Sequence, residues 1–144
     1  MMTNIPKSQY LQLLRYQITD ANFKIDNDVS QQNIPKKILY NLNIEPKLED
    51  IQQISDEKFG GKVRLKISII GKESEKDRVV HSVNVVIYGY FEGSCDNQRQ
   101  FKKLCELNGV ANLLLIARSF IASVTSQLNI KPIILPFFNL THKK

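Results

Sequence analysis

Apolar and polar residues alternate strictly through Val63-Arg64-Leu65-Lys66-Ile67-Ser68-Ile69, a period of two that predicts a β-strand with one buried and one wetter face. Val79 to Phe91 predicts the return strand. Val83, Val85, Ile87, Gly89 and Phe91 share one of its faces, and Val86, Tyr88 and Tyr90 make the other partly apolar. The charged stretch from Gly71 to Arg78 reads as the hairpin loop between the two, and Gly60-Gly61 as the turn before the first. A sheet apolar on both faces needs cover on both, which points to an oligomer or a bound apolar ligand.

The N-terminal third is less regular. Leu11, Leu14 and Ile18 fit a helix, whereas Tyr16, Ile18, Phe23 and Ile25 fit a strand. Turn-forming residues interrupt any helical stripe, so Leu11 to Asp28 is expected to be a strand, bulged near Thr19-Asp20-Ala21-Asn22. Val29 to Pro35, rich in Ser, Gln and Asn, reads as a connecting segment. A second strand follows at Ile38 to Ile44, with Tyr40 and Leu42 in phase, and Pro46 is expected to stop it.

Helical spacing dominates the C-terminal part. Gln98 to Leu107 predicts a short helix closed by Asn108-Gly109. In the long helix Asn112 to Leu128, steps of three and four put Val110, Leu113, Leu114, Ala117, Ile121, Val124 and Leu128 on one face. Leu115, Ile116, Phe120 and Ala122 fall outside that stripe, and Arg118 is the only full charge from Val110 to Gln127. A helix with so little polar surface is buried on more than one side. The small residues Ser119, Ala122, Ser123 and Ser126 would let another helix approach closely. Leu115, Ile116, Ser119, Phe120, Ala122, Ser123 and Ser126 are therefore the candidate oligomer interface, the alternative being a central core helix of one domain. Strands first and helices last give an α+β fold with an antiparallel sheet. An extended Pro-rich tail, Pro132 to Asn139, follows.

At 144 residues, one domain spanning 1–144 is expected, and 42% hydrophobic with 24% charged residues is an ordinary globular composition. No stretch of 18 uncharged apolar residues occurs, and Met-Met-Thr-Asn-Ile-Pro-Lys lacks the apolar core of a signal peptide, so a cytoplasmic protein without membrane insertion is expected. Cys95 and Cys105 stand ten apart with His81 and His142 far from both; no zinc spacing is present, no metal or other cofactor is expected, and two buried or partly buried thiols are the better reading. The net charge of +6 raises nucleic-acid binding, but Lys36-Lys37, Lys102-Lys103 and Lys143-Lys144 are pairs rather than a stripe, so a solvated surface is expected instead. The acids Asp20, Asp26, Asp28, Glu45, Glu49, Asp50, Asp56 and Glu57 mostly read as lying in or beside turns, and no pair takes acid and base roles by spacing. Without a phosphate loop, a nucleophile elbow or a Cys-His partner, no enzyme is expected.

Four stretches, in this order, resemble the SecB family of export chaperones. Asp20-Ala-Asn-Phe23 is similar to the family's first-strand pattern, and Val79 to Phe91, ending Gly89-Tyr-Phe91, to its last strand. Asn112-Leu-Leu-Leu-Ile-Ala117-Arg118 resembles the opening of its long helix, with Leu114-Leu-Ile116 in place of the family's Phe-Pro-Tyr. Pro132-Ile-Ile-Leu-Pro136 to Asn139 resembles the tail after it. The resemblance implies a four-stranded antiparallel sheet with a long helix packed on one face, paired into dimers and then a dimer of dimers, with the C-terminal second helix truncated. It also implies a holdase that binds unfolded polypeptides, such as precursors for export, in apolar grooves without ATP and passes them to the SecA motor. Candidate client-binding residues are Ile34, Ile38, Tyr40, Phe137, Phe138 and Leu140. Candidate partner-docking positions are Asp20, Lys24 and Asn84, where Lys24 stands at a usual acid and Asn84 near another, so a SecA surface would meet the wrong charge. A dedicated chaperone of an antitoxin is the alternative within the family, and a small α+β ligand-binding module the alternative outside it.

Overall fold

The computed structural model describes residues 10–26, 38–73, 78–128 and 132–135. Four long strands, β1 Tyr10–Ile25, β2 Ile38–Ser55, β3 Lys58–Glu73 and β4 Val79–Ser94, form one antiparallel sheet in the order β1-β4-β3-β2. A helix α1 (Gln98–Leu104) passes through a π-helical turn at Cys105–Gly109 into α2 (Val110–Ser126). The architecture is the expected α+β one, a four-stranded antiparallel sheet with one long helix packed against it.

Residues facing each other across a ladder share a side of the sheet, so the register assigns every side chain to a face. The inner face carries Val63, Leu65, Ile67 and Ile69 of β3 and Val83, Val85, Ile87 and Phe91 of β4, all at most 2% exposed. The helix lays Val110, Leu113, Leu114, Ala117, Ile121 and Thr125 onto them. On β1 the register shifts between Leu13 and Arg15 and between Ile18 and Asp20, leaving Leu14 and Thr19 as extra residues. Each shift resets the alternation, and together they turn Leu11, Leu13, Tyr16, Ile18, Ala21, Phe23 and Ile25 to the inner face. The strand is the one expected, and one of its two bulges falls at Thr19.

Four local expectations are corrected. Pro46 does not stop β2, which runs on to Ser55, because β2 is an edge strand and bonds to a neighbour on one side only. Glu45, Glu49 and Asp50 thus lie on a strand rather than in turns, with Asp50 at φ 53 in a bulge. Gly60-Gly61 lies inside β3 and Gly71 inside it as well; the turn is Asp56-Glu57, with Glu57 at φ 60. A Cβ on Gly61 would collide with Ile51 and come within 3.2 Å of the Phe101 ring, so the glycine serves close packing. Asn108-Gly109 does not close the first helix, since the π turn carries the chain through with Gly109 at φ −64.

Asn97 caps α1 by accepting a 2.9 Å hydrogen bond from the Gln100 amide. Phe101, fully buried, stacks on Phe59 at 5.7 Å between ring centres and secures this end of the helix to the sheet. At the other end Pro132–Leu135 returns alongside α2. Thr125 donates to the Ile121 carbonyl at 2.7 Å and accepts from the Ile133 amide at 2.9 Å, while Arg118 Nε donates to the Leu135 carbonyl at 2.8 Å. Arg118 is thus structural, tying the returning segment so that Ile133 and Leu135 enter the core. Within the continuous helix Gln98–Ser126 an 18-residue window reaches a mean hydropathy of 1.5, long and apolar enough to cross a membrane by length and composition alone. Packing on the sheet accounts for one side of that apolarity.

Candidate functional site

The side of α2 turned away from the sheet carries Ala111, Asn112, Leu115, Ser119, Ala122, Ser123 and Ser126, with no formal charge among them. Leu115 is 51% exposed. Toward β1 this side opens into a cleft of about 540 Å³ lined by Tyr16, Ile18, Leu115, Ile116, Ser119, Phe120 and Ser123. Tyr16 is also 51% exposed, and Phe120 closes the floor by an edge contact to Phe23 at 6.0 Å. The opposite flank of α2 is the one the returning Pro132–Leu135 segment occupies. The structure therefore gathers all seven candidate interface residues on or beside one uncharged surface. It adds Tyr16 and Ile18 to them, whose place next to the helix depends on the two β1 bulges.

The remaining candidates are more dispersed. Ile34, Phe137, Phe138 and Leu140 lie outside the described residues, as does the expected truncated second helix. Ile38 and Tyr40 sit on the inner face of edge strand β2, opposite Glu73 and Gly71. Ile38 is half-buried and Tyr40 43% exposed. The Tyr40 ring lies over Gly71, where a Cβ would come within 2.6 Å of it, and reaches His81 on β4 with a 2.8 Å hydrogen bond to Nδ1 and a stacked ring contact. Tyr40 is thereby a strand-bridging group with part of its ring open to solvent. Asp20, Lys24 and Asn84 come together on the outer face of the β1–β4 pair, Asp20 opposite Val86 and Lys24 opposite Ser82, with Asn84 accepting from Ser68 at 3.0 Å.

His81 is 5% exposed, and burial holds its imidazole below the ordinary 6.5, while the Tyr40 phenol is raised by burial. The unfolded chain takes up a proton at His81 first as pH falls, so this group's contribution to stability is complete above about pH 6.5 and is lost below it, by at most about 1.4 kcal/mol per pH unit. Melting curves at pH 7.5 and 5.0 should show that loss, and His81→Asn should flatten it. Cys95 and Cys105 are buried free thiols, as expected; burial first, then the neighbouring Cys95, pushes Cys105 up to about 12, far from a reactive thiolate. Among the described residues no group of three or more His, Cys, Asp and Glu could hold a metal ion.

Comparison of the whole chain with solved structures decides the fold. A SecB-like chaperone of Mycobacterium tuberculosis, solved in complex with a ChAD peptide from the HigA1 antitoxin, superposes with a TM-score of 0.65 over 90% of this chain and 91% of that one, at 13% identity. The fold is SecB-like. A protein of unknown function from Streptococcus agalactiae superposes with a TM-score of 0.52, covering 90% of this chain and 99% of that one at 13% identity. No protein-family model matches the sequence, and no curated protein matches it.

Proposed function

We propose that the chain is an ATP-independent holdase that assembles through the uncharged side of α2 and captures non-native polypeptides, including export precursors, on apolar surface in the cytoplasm. The observation that carries this reading is the combination of a SecB-like fold with a helix that buries one apolar face on its own sheet and leaves a second, chargeless one open. Capture of an unfolded chain needs wide apolar surface and no catalytic constellation. Assembly follows as a dimer of dimers, with the α2 helices facing each other. Light scattering on a size-exclusion column, alone and with a permanently unfolded polypeptide, tests both parts. A mass near four times 16.6 kDa that co-elutes with the unfolded chain but not with its folded form is expected. A monomer that ignores the unfolded chain overturns the proposal.

A second reading has its own support. The Mycobacterium neighbour was solved with an antitoxin peptide, which favours a dedicated antitoxin chaperone over a general one. Such a protein prefers one short client segment by a wide margin, whereas a general holdase binds unrelated unfolded chains alike. Docking on SecA is the less favoured partnership, since Lys24 and Asn84 occupy two of the three docking positions in place of acids.

A further inference from the structure

The outer face of the sheet, which the helix does not cover, gathers cations that are spread out in the sequence. Register places Gln17, Tyr88, Arg64 and Lys47 in one row across all four strands. In the row above, Arg15 lies over the Tyr90 ring at 4.1 Å, and Lys62 is held by Glu49 at 3.3 Å and Asp50 at 3.5 Å. In the row below, Lys66 faces Glu45, whose carboxylate instead accepts from Asn43 at 2.9 Å. Among the described residues no carboxylate lies within 4.0 Å of Lys47, Arg64 or Lys66. Lys47 and Arg64 are directly opposed across the ladder, a like-charge pairing that costs stability and that a bound anion would relieve.

We propose that this face docks a short acidic segment of a partner polypeptide in extended conformation, with Lys47, Arg64 and Lys66 as its anchors. Arg64 and Lys66 are alternate residues of one strand, roughly 6.4–6.8 Å apart, which is also the repeat of alternate side chains along an extended peptide. A peptide with Glu or Asp at every second position, running along β3, would set one carboxylate over the Lys47–Arg64 pair and the next over Lys66. Single-stranded nucleic acid fits less well: the tyrosines that would serve as stacking platforms, Tyr88 and Tyr90, lie beneath Lys62 and Arg15. Asp20 and Glu45 flank the Lys66 row and repel any anion that extends past it, a phosphate backbone crossing the sheet included, so the docked segment is short. A second copy of this chain presents the same cations and is repelled too, so self-association is left to the helix side.

The test is fluorescence anisotropy of a labelled peptide alternating Glu and Ser with the full-length chain at low salt. Saturable binding is expected, lost when the glutamates are replaced by glutamines, and weakened about tenfold or more by Arg64→Glu with Lys66→Glu. Lys47→Glu, on the edge strand, supplies a second variant, and circular dichroism checks that each is folded. Leu115→Glu, on the opposite side, should leave peptide binding unchanged, which separates this proposal from the holdase reading. No saturable binding, binding indifferent to all three charge reversals, or tighter binding of a single-stranded oligonucleotide of equal length overturns it.

Discussion

Phe101→Ala is expected to lower the unfolding free energy by about 3–5 kcal/mol, measured by urea denaturation. The side chain is fully buried and touches parts of the fold that are far apart in sequence: it stacks on Phe59 of β3, and its ring lies over Gly61 of β3 and Gly93 of β4. The cost of a truncation depends on how far the surroundings can collapse into the space, and here two of the walls are glycine backbone held in the sheet ladder. Without the anchor, α1 also loses its one buried side chain. Phe120→Ala serves as the comparison, because Phe120 is only half-buried at the cleft and should cost distinctly less. Equal losses for the two would mean that the α1 end of the helix carries no special share of the stability.

Leu115→Glu is expected to reduce the assembled species to a smaller one at micromolar concentration while leaving the midpoint of urea unfolding of the isolated chain almost unchanged. In the monomer Leu115 is 51% exposed, so a carboxylate there stays hydrated and costs within about 0.5 kcal/mol. In a helix-to-helix interface the same carboxylate is desolvated with no cation opposite, since the outward side of α2 has no charge, at a cost of several kcal/mol per buried ion. Each interface would hold two such groups if the contact is isologous. Light scattering reads the mass and a native-to-denatured titration reads the fold. An unchanged mass would place self-association elsewhere, on the open edge of β1.

What the sequence by itself determined is what periodicity encodes. The strict alternation of Val63 to Ile69, the matching set Val83 to Phe91 and the three-and-four spacing of Val110 to Ile121 each name an element and its buried side, because one face must leave water. The excess of apolar residues on the long helix likewise showed that a second face had to be accounted for. The alternate positions Lys62, Arg64 and Lys66 were visible too, but their meaning was not: a basic cluster exists only once Lys47 of a strand paired on the other side is laid opposite Arg64.

Tertiary structure alone decided the features that depend on neighbours. Pro46 reads as a stop until β2 is known to be an edge, where one side of the backbone needs no partner. Leu14 and Thr19 obscure the period of β1 because a bulge resets the alternation, and only pairing with β4 shows that Tyr16 and Ile18 face the helix. Gly60-Gly61 looks like a turn because glycine is common there, yet both lie inside β3, where Ile51, Ile54 and Phe101 pack closely over them. Asn108-Gly109 carries a stop signal worth about 1 kcal/mol, which burying the helix on the sheet outweighs. Local sequence sets which side of each element is apolar; which elements meet is a property of contacts between residues far apart in the chain, and the uncharged cleft and the basic face are both made of such contacts.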